Sequence, residues 1–564
     1  MAIAYPNRIS DVGLVGKPAA FQRRLLLDPR RAGPYSVLAW PTHAVELRLV
    51  LRADIEVRAG QGSPTPVLIT VPKPLRAFTE WSWRLVRWPG TLDLDQPGFD
   101  EEGEPSRPSR FAQPRGFDDR RPRPSVSALL FDEDPVIEGS FSLEDDRGDE
   151  PHRLVFWSCN QPYATDDAGN ATLNPEMPIV LDWAEKRVRE FDPHVIWGIG
   201  DTAYADGTEA TNFVDEFYDR VDLAGAPEIR DELVAAYRRM YRAHWSFPPL
   251  QRMMRTIPHL TVWDDHEIRD GWGSEDQDFA GGNPVVFDAA REVAEEFILN
   301  NGPRIRSDDG AGGTPDAHQA YISGSVACFI FDGRTSRRYS DPDGRIISEE
   351  QLADFEAFCM RMARDRRVRF LVMGTGVPFI NLKDIVEELG SQAPKALTDL
   401  MAGIRDDIRD SWHSKGNRGE LKRLISVLRR LHWRRPDIDI VNVSGDIHVA
   451  NAFSFQPFGF TKALYQFTSS AITNRDHPPA AVAALVDLGS TTFSEELGFV
   501  TRIWDTLTSP NVMTITAVGD VLRITLRVYD LDVPEAERDK ATSAKDLVFD
   551  VGNETFGVRR MIAG

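Results

Sequence analysis

Three short apolar runs constrain this chain most: Val195-Ile196-Trp197, Leu260-Thr261-Val262-Trp263 and Ile440-Val441-Asn442-Val443. Each ends at a Gly or a polar turn. A brief, nearly unbroken apolar run of this kind reads as a strand buried on both faces, as in a parallel sheet covered by helices. The segments at the ends of the three runs are also alike: Gly200-Asp201-Thr202-Ala203-Tyr204, Trp263-Asp264-Asp265-His266-Glu267 and Ser444-Gly445-Asp446-Ile447-His448. Open α/β folds gather their ligands at the carboxyl ends of such strands. The three edges therefore predict one pocket rich in oxygen and nitrogen donors, a set that suits two metal ions.

The rest of the sequence narrows the class. With 564 residues the chain exceeds one ordinary core, so at least two domains are expected. A net charge of −21 argues against a general nucleic-acid surface, which needs a basic face. Only three cysteines occur, Cys159, Cys328 and Cys359, too few for a disulfide framework. No run approaches ~18 apolar residues, so no membrane span is expected. Arg23-Arg24 precedes Leu25-Leu26-Leu27, but Asp28-Pro29 breaks that run at once. No export signal is read there, and the expectation is a cytoplasmic protein.

Residues 1–147 alternate short β-rich runs, Val45 to Leu51, Val67 to Val71 and Trp81 to Val86, with turns, which predicts an all-β sandwich-like domain. A Pro- and Arg-rich stretch near 96–125 reads as an exposed loop. The expected role of this region is support, or a lid beside the site. Strand–helix alternation then marks a catalytic domain over 148–533. It includes a strand from Leu154 to Trp157, a helix from Pro178 to Glu190, and a helix opened by the capping box Ser348-Glu349-Glu350-Gln351. Further on come a strand from Val368 to Met373, a helix from Arg418 to Leu431 and a hairpin turning at Gly519-Asp520. The stretch 534–564 reads as an extension without a defined element.

Residue chemistry assigns candidate roles. Asp201, just past a strand, can bridge two cations, and Tyr204 can offer a phenolate that suits a trivalent ion such as Fe(III). Asp265 is a candidate metal ligand, and His266 a candidate proton donor to a leaving group. Asp264 or Glu267 can orient that imidazole. Asp446 and His448 are two apart at the end of a strand, and period-two geometry points both side chains the same way, so both can reach one bimetal site. Cys159, in Ser158-Cys159-Asn160, can supply a thiolate. Cys328 and Cys359 read as core. His152, His194, His244, His259, His413 and His432 read as structural or exposed. Asp332 and Arg334 read as a buried ion pair, and Gly374-Thr375-Gly376 as a backbone approach to substrate.

The ordered set Ser158-Cys159-Asn160, Gly200-Asp201 with Tyr204, Asp264-Asp265-His266-Glu267 and Gly445-Asp446-Ile447-His448 resembles the PhoD-like alkaline phosphatases, a branch of the calcineurin-like metallophosphoesterases. The resemblance covers roughly residues 150 to 530. It implies a four-layer α/β/β/α sandwich preceded by an all-β domain, and a dinuclear centre of Fe(III) with Ca, or with Mn, Zn or Mg. It implies that Cys159, Asp201, Tyr204 and His448 hold the iron, that Asp201 bridges, and that Asp265 and Asp446 hold the second ion. Two departures from the wider superfamily stand out. Its Asn-His-Glu/Asp motif reads Asp265-His266-Glu267 here, and its Gly-His-x-His reads Gly445-Asp446-Ile447-His448. Both bring in a carboxylate, which favours hard cations such as calcium. The superfamily's isolated His ligand has no clear match near Gly374-Thr375-Gly376, so the second ion is expected to lean on water. PhoD-like proteins are commonly exported, whereas the expectation for this chain is cytoplasmic.

The expected activity is hydrolysis of a phosphate ester, on a small molecule or a lipid, by in-line attack of a hydroxide held between the two ions. Catalysis would rest on Asp201, His266, Asp264 and Glu267. The competing readings are a phosphodiesterase or phospholipase D-type activity of the same family, and a metal-free binding module.

Overall fold

The computed structural model describes the chain except residues 1–4, 7–10, 20–21, 59–61, 78, 89–123, 133, 144–151, 221–226, 275, 306–315, 340–343, 381–410, 415, 474–492, 495, 530–543, 554 and 561–564. Two large sheets carry most of it. One has seven strands in the order His259–Val262, Val195–Ile199, His152–Trp157, Asn511–Val518, Val521–Tyr529, Ala544–Val551, Thr555–Arg560. Its first three strands are parallel, with Trp197 opposite both Leu260 and Phe156. The other has eight, in the order Gln319–Ser323, Val326–Ile330, Phe370–Thr375, Asp439–Ser444, Leu464–Thr468, Ala450–Gln456, Gly498–Leu507, Phe493–Ser494. Its parallel pairs run from Val326–Ile330 through Leu464–Thr468.

The apolar runs are continuous because their strands bury both faces. Val195–Ile199 is buried at every position. One cluster joins Phe156, Trp197 and Val262 of the first sheet to Cys328, Val372, Val443 and Phe467 of the second. The alternate residues Val155 and Ile196 pack instead on Leu181, Tyr237 and Val293, from helices Met177–Phe191, Pro227–Trp245 and Asn283–Phe297. Phe329, Leu371 and Ile440 pack on Phe355, Leu424 and Leu428, from helices Glu349–Met362 and Arg418–Arg434. Burying such side chains is worth about 1.5–3 kcal/mol each, which fixes the strand ends against one another. Cys328 and Cys359 lie in these cores, as expected.

The N-terminal region is all β, with the three-stranded sheet Val12–Ala19, Gln22–Asp28, Thr65–Thr70 and the four-stranded sheet Leu51–Val57, Gly33–Pro41, Glu80–Arg87, Ile137–Ser142. It is tied to the rest by Gly13 N to Gln251 Oε1 at 3.0 Å, Trp83 Nε1 to Arg255 O at 3.2 Å and Lys17 N to Asn301 O at 2.7 Å.

Several expectations are corrected. The alternation from Val45 to Leu51 is not a strand: Leu47–Leu49 is a 3-10 turn, and the strand that pairs with Gly33–Pro41 begins at Leu51. The stretch after 534 carries two strands, Ala544–Val551 and Thr555–Arg560, which extend the seven-stranded sheet. The capping box forms by half. Ser348 Oγ accepts from Gln351 N, but the Gln351 amide turns away to the Asp332 backbone, bonding its N at 2.8 Å and its O at 3.0 Å. Of the stretch near 96–125, all but Pro124 and Ser125 lies outside the described residues. Among the described residues, no helix is long and apolar enough to cross a membrane.

Candidate metal centre

The carboxyl ends of the parallel strands from both sheets meet at one place, and the backbone there is strained. Among the described residues, five non-glycine residues have positive φ: Cys159 (56°), Asp192 (52°), Asp201 (53°), Asp446 (69°) and His448 (52°). Asp192 merely ends a helix. The other four are sequence-predicted ligands. Left-handed backbone at a non-glycine residue costs of order 1–3 kcal/mol and persists where the surroundings enforce it, typically at functional sites. This corrects the period-two argument for Asp446 and His448. The strand stops at Ser444, and the two side chains are aimed by left-handed turns.

Three sets of potential ligand atoms form, each within 4.8 Å of one another: Cys159 with Asp201 and His448, Asp201 with Asp265 and His266, and Asp264 with Asp265 and Asp446. Asp201 is common to the first two sets, and Asp265 to the last two. Cys159 Sγ lies 3.5 Å from Asp201 Oδ2 and 2.9 Å from Ser470 Oγ. Tyr204 is buried, with its hydroxyl 3.5 Å from Asp201 Oδ2 and 3.1 Å from His448 Nε2. Every candidate ligand named from the sequence is thus drawn to one locus.

The orienting roles differ from expectation. Neither Asp264 nor Glu267 bonds His266. Its Nδ1 lies 2.8 Å from Asp206 Oδ1, its ring packs tilted by 32° against Tyr204 at 4.2 Å between centroids, and Asp270 Oδ1 is 3.9 Å from Nε2. Asp206 also accepts from the Asp270 backbone N–H. Glu267 instead ties two loops together. Its carboxylate accepts from Asp201 N at 2.9 Å, Thr202 N at 2.5 Å, Thr202 Oγ1 at 2.8 Å and Asp264 N at 2.7 Å. Asp264 is bound by the guanidinium of Arg334, which also reaches Asp265 at 3.3 Å and Asp446 at 3.9 Å. The Arg334 guanidinium is therefore a member of the site rather than the charge partner of Asp332, whose carboxylate accepts from the Ala317, Arg334 and Thr335 backbone N–H groups and lies 3.7 Å from Arg291 Nη1.

Gly376 makes room for Asp264: a Cβ there would stand 2.2 Å from Asp264 Oδ2. His244 is structural, as expected, with Nδ1 bonded to Met240 O at 2.9 Å and Nε2 accepting from Tyr204 N at 3.3 Å. The sequence reading missed Asp206, which stands in the same loop as Asp201, and the part Arg334 plays.

The donor set fits cations. Asp201, Asp264, Asp265, Glu267 and Asp446 are all buried, at 6% exposure or less, and Arg334 is the guanidinium in contact with three of them. Surplus buried negative charge is costly unless cations offset it. Asp201 Oδ1 and Asp265 Oδ1 are buried without a hydrogen-bond partner among the described residues. Burial, then the neighbouring Cys159 and carboxylates, pushes Asp201 well above the usual carboxylate range. Burial pushes Glu267 up to about 7 against its four hydrogen bonds, and the Cys159 thiol up to about 11. Burial acts the same way on Asp265, but Arg334 and His266 outweigh it and bring that carboxyl down to about 2. Burial would lower His266, yet Asp265, Asp206 and Asp270 hold it well above its ordinary value.

Parallel strand ends carrying clustered carboxylates, a thiol, a phenol and two imidazoles make up a candidate metal centre. The sequence model of the PhoD-like phosphatase family matches residues 159–499, more than half of the chain. The chain belongs to the PhoD-like phosphatase family, and it is a phosphoesterase. A solved structure of PhoD superposes with a TM-score of 0.59 at 12% identity, covering 99% of this chain and 94% of that one, and so supports the fold. A dimetal phosphatase from Danio rerio aligns more loosely, with a TM-score of 0.33 at 8% identity over 66% of this chain and 96% of that one. No curated protein sequence matches the chain.

Proposed function

We propose that this phosphoesterase hydrolyses phosphoric esters through a dinuclear centre, with Cys159, Asp201, Tyr204 and His448 holding one ion and Asp265 and Asp446 the other. The observation that carries the reading is Asp201, shared between two ligand sets and buried with Oδ1 lacking a hydrogen-bond partner among the described residues. Thiol and phenol on the first position favour iron, and carboxylates on the second favour calcium or another hard divalent ion. When bound, the ions supply positive charge for the phosphoryl oxygens and lower the pKa of a water. The chain's own residues do the rest. His266 gives a proton to the leaving oxygen, with Asp206 holding its Nδ1 and so fixing which ring nitrogen faces the substrate. Glu267 keeps the Asp201 and Asp264 loops in register, and Asp264 acts through Arg334.

The inter-sheet core and the two helix-covered faces support a four-layer α/β/β/α arrangement. We take residues 1–147 as a separate β domain. The catalytic unit then runs from 148 through the strand ending at Arg560, because those last strands complete its sheet. The substrate class is a small-molecule or lipid phosphate ester. Asp201→Asn and His266→Ala test the assignment on an ester with a poor leaving group. Full turnover by either variant contradicts it.

A further inference from the structure

Arg334 is unusual among the groups at this site because it is a cation already in place. It lies just past the strand Val326–Ile330 of the eight-stranded sheet, whereas Asp264 and Asp265 lie just past a strand of the other sheet. Its side chain is fully buried. Nε bonds Asp264 Oδ1, Nη1 donates to Trp272 O at 3.0 Å, and Nη2 stands 3.3 Å from Asp265 Oδ1 and 3.9 Å from Asp446 Oδ1. A guanidinium held by a backbone carbonyl and a carboxylate at once has little freedom to withdraw.

Asp264 is held as firmly. A Cβ on Gly200 would stand 2.5 Å from Asp264 Cβ, and one on Gly376 2.2 Å from Asp264 Oδ2. Those two glycines leave room for the carboxylate and nothing more. Of the three carboxylates gathered here, Asp264 is therefore given over to Arg334, while Asp265 and Asp446 lie 3.3 and 3.9 Å from its Nη2. The neighbouring ligand set is built otherwise: the hydrogen-bond partners of the Asp201 carboxylate are the Cys159 thiol and the Tyr204 hydroxyl.

We propose that Arg334, pinned by Asp264, tunes the charge selectivity of the Asp265/Asp446 position by lowering its preference for a trivalent over a divalent cation. The inference rests on the metal-centre reading and deepens it. A fixed unit charge some ~5 Å from a bound ion, at an effective dielectric of ~20, separates a trivalent from a divalent ion by roughly a hundredfold. The acidic cluster alone would prefer the higher charge; the built-in guanidinium offsets one of its three carboxylates and weakens that preference. Among the described residues, the Asp201 carboxylate meets the Cys159 thiol and the Tyr204 hydroxyl rather than an arginine, which leaves that position for the more highly charged ion.

The test uses the full chain stripped of metal by chelation, with Mn2+ binding read by electron paramagnetic resonance and Tb3+ binding by luminescence. In Arg334→Met, the Tb3+ over Mn2+ affinity ratio at this position rises more than about tenfold, whereas Arg334→Lys, which keeps the charge, stays within about threefold of the parent. Asp264→Asn leaves the guanidinium without its counter-ion, so the ratio falls. Opposite signs for the Arg334→Met and Asp264→Asn changes are the expected result, because a merely structural prop would weaken both ions in both variants. An unchanged ratio in Arg334→Met, or a shift of the same sign in both variants, overturns the proposal. If Arg334→Met does not fold by circular dichroism, Asp264→Asn decides alone, and an unchanged ratio there overturns it. A parent chain that takes up neither ion overturns the metal centre itself, and this inference with it.

Discussion

The two halves of the site are built from opposite materials. Around Cys159, Tyr204 and His448, the donors are a thiol, a phenol and an imidazole gathered on one carboxylate, with the Cys159 thiol pushed up to about 11 by burial. Around Asp264, Asp265 and Asp446, the donors are all carboxylates, and a buried arginine brings Asp265 down to about 2. One half holds a thiol that burial keeps protonated; in the other, burial is outweighed by Arg334 and His266, which hold Asp265 ionised. An active site can thus be made asymmetric by a single side chain, Arg334, reaching across from the second sheet.

Asp201→Asn strikes the residue common to both halves and carries the largest expected effect. Ester turnover falls roughly 10³-fold, and metal content falls with it, read by steady-state assay and elemental analysis. His266→Ala sharpens the comparison by separating proton donation from metal binding. Turnover of an alkyl phosphate falls about 10²-fold or more while that of an aryl phosphate with a good leaving group changes little. Metal content is retained; its loss would make His266 a ligand, as its grouping with Asp201 and Asp265 permits. Asp206→Asn costs about tenfold through misplacement of the imidazole, visible as a drop in kcat with KM unchanged.

The smallest effect concerns Glu267, which bonds both loops. In the chelated protein Glu267 holds its proton up to about 7, whereas the unfolded chain releases it near 4.5. The folded state therefore binds more protons between those values. This contribution is fully present below pH 4.5 and is lost as pH rises through about 7. Melting temperature should fall across that window, and Glu267→Gln should flatten the fall. A melting curve that rises with pH there would contradict the sign.

The ligand motifs were legible because each sits within a few residues of a strand end, where local sequence decides what the backbone presents. Asp206 and Arg334 were not. Their partners are 60 and 70 residues away: Asp206 meets His266 through the pairing of two neighbouring strands of one sheet, and Arg334 meets Asp264 where the two sheets come together. The left-handed turns at Asp446 and His448 left no mark either, since neither residue is a glycine. The last strands did leave one: Leu547, Phe549 and Val551 stand at alternate positions and bury against the neighbouring sheet, with Asp546 and Asp550 on the other face. At Val45 to Leu51 the same alternation misled, because strand pairing starts only at Leu51.

The most direct measurement is elemental analysis of the purified chain with a visible spectrum of the same sample. About two ions per chain are predicted, one of them iron with a broad phenolate-to-iron band that disappears in Tyr204→Phe. A chain that holds no metal, and takes up none on incubation with iron, calcium, manganese or zinc, would contradict the account.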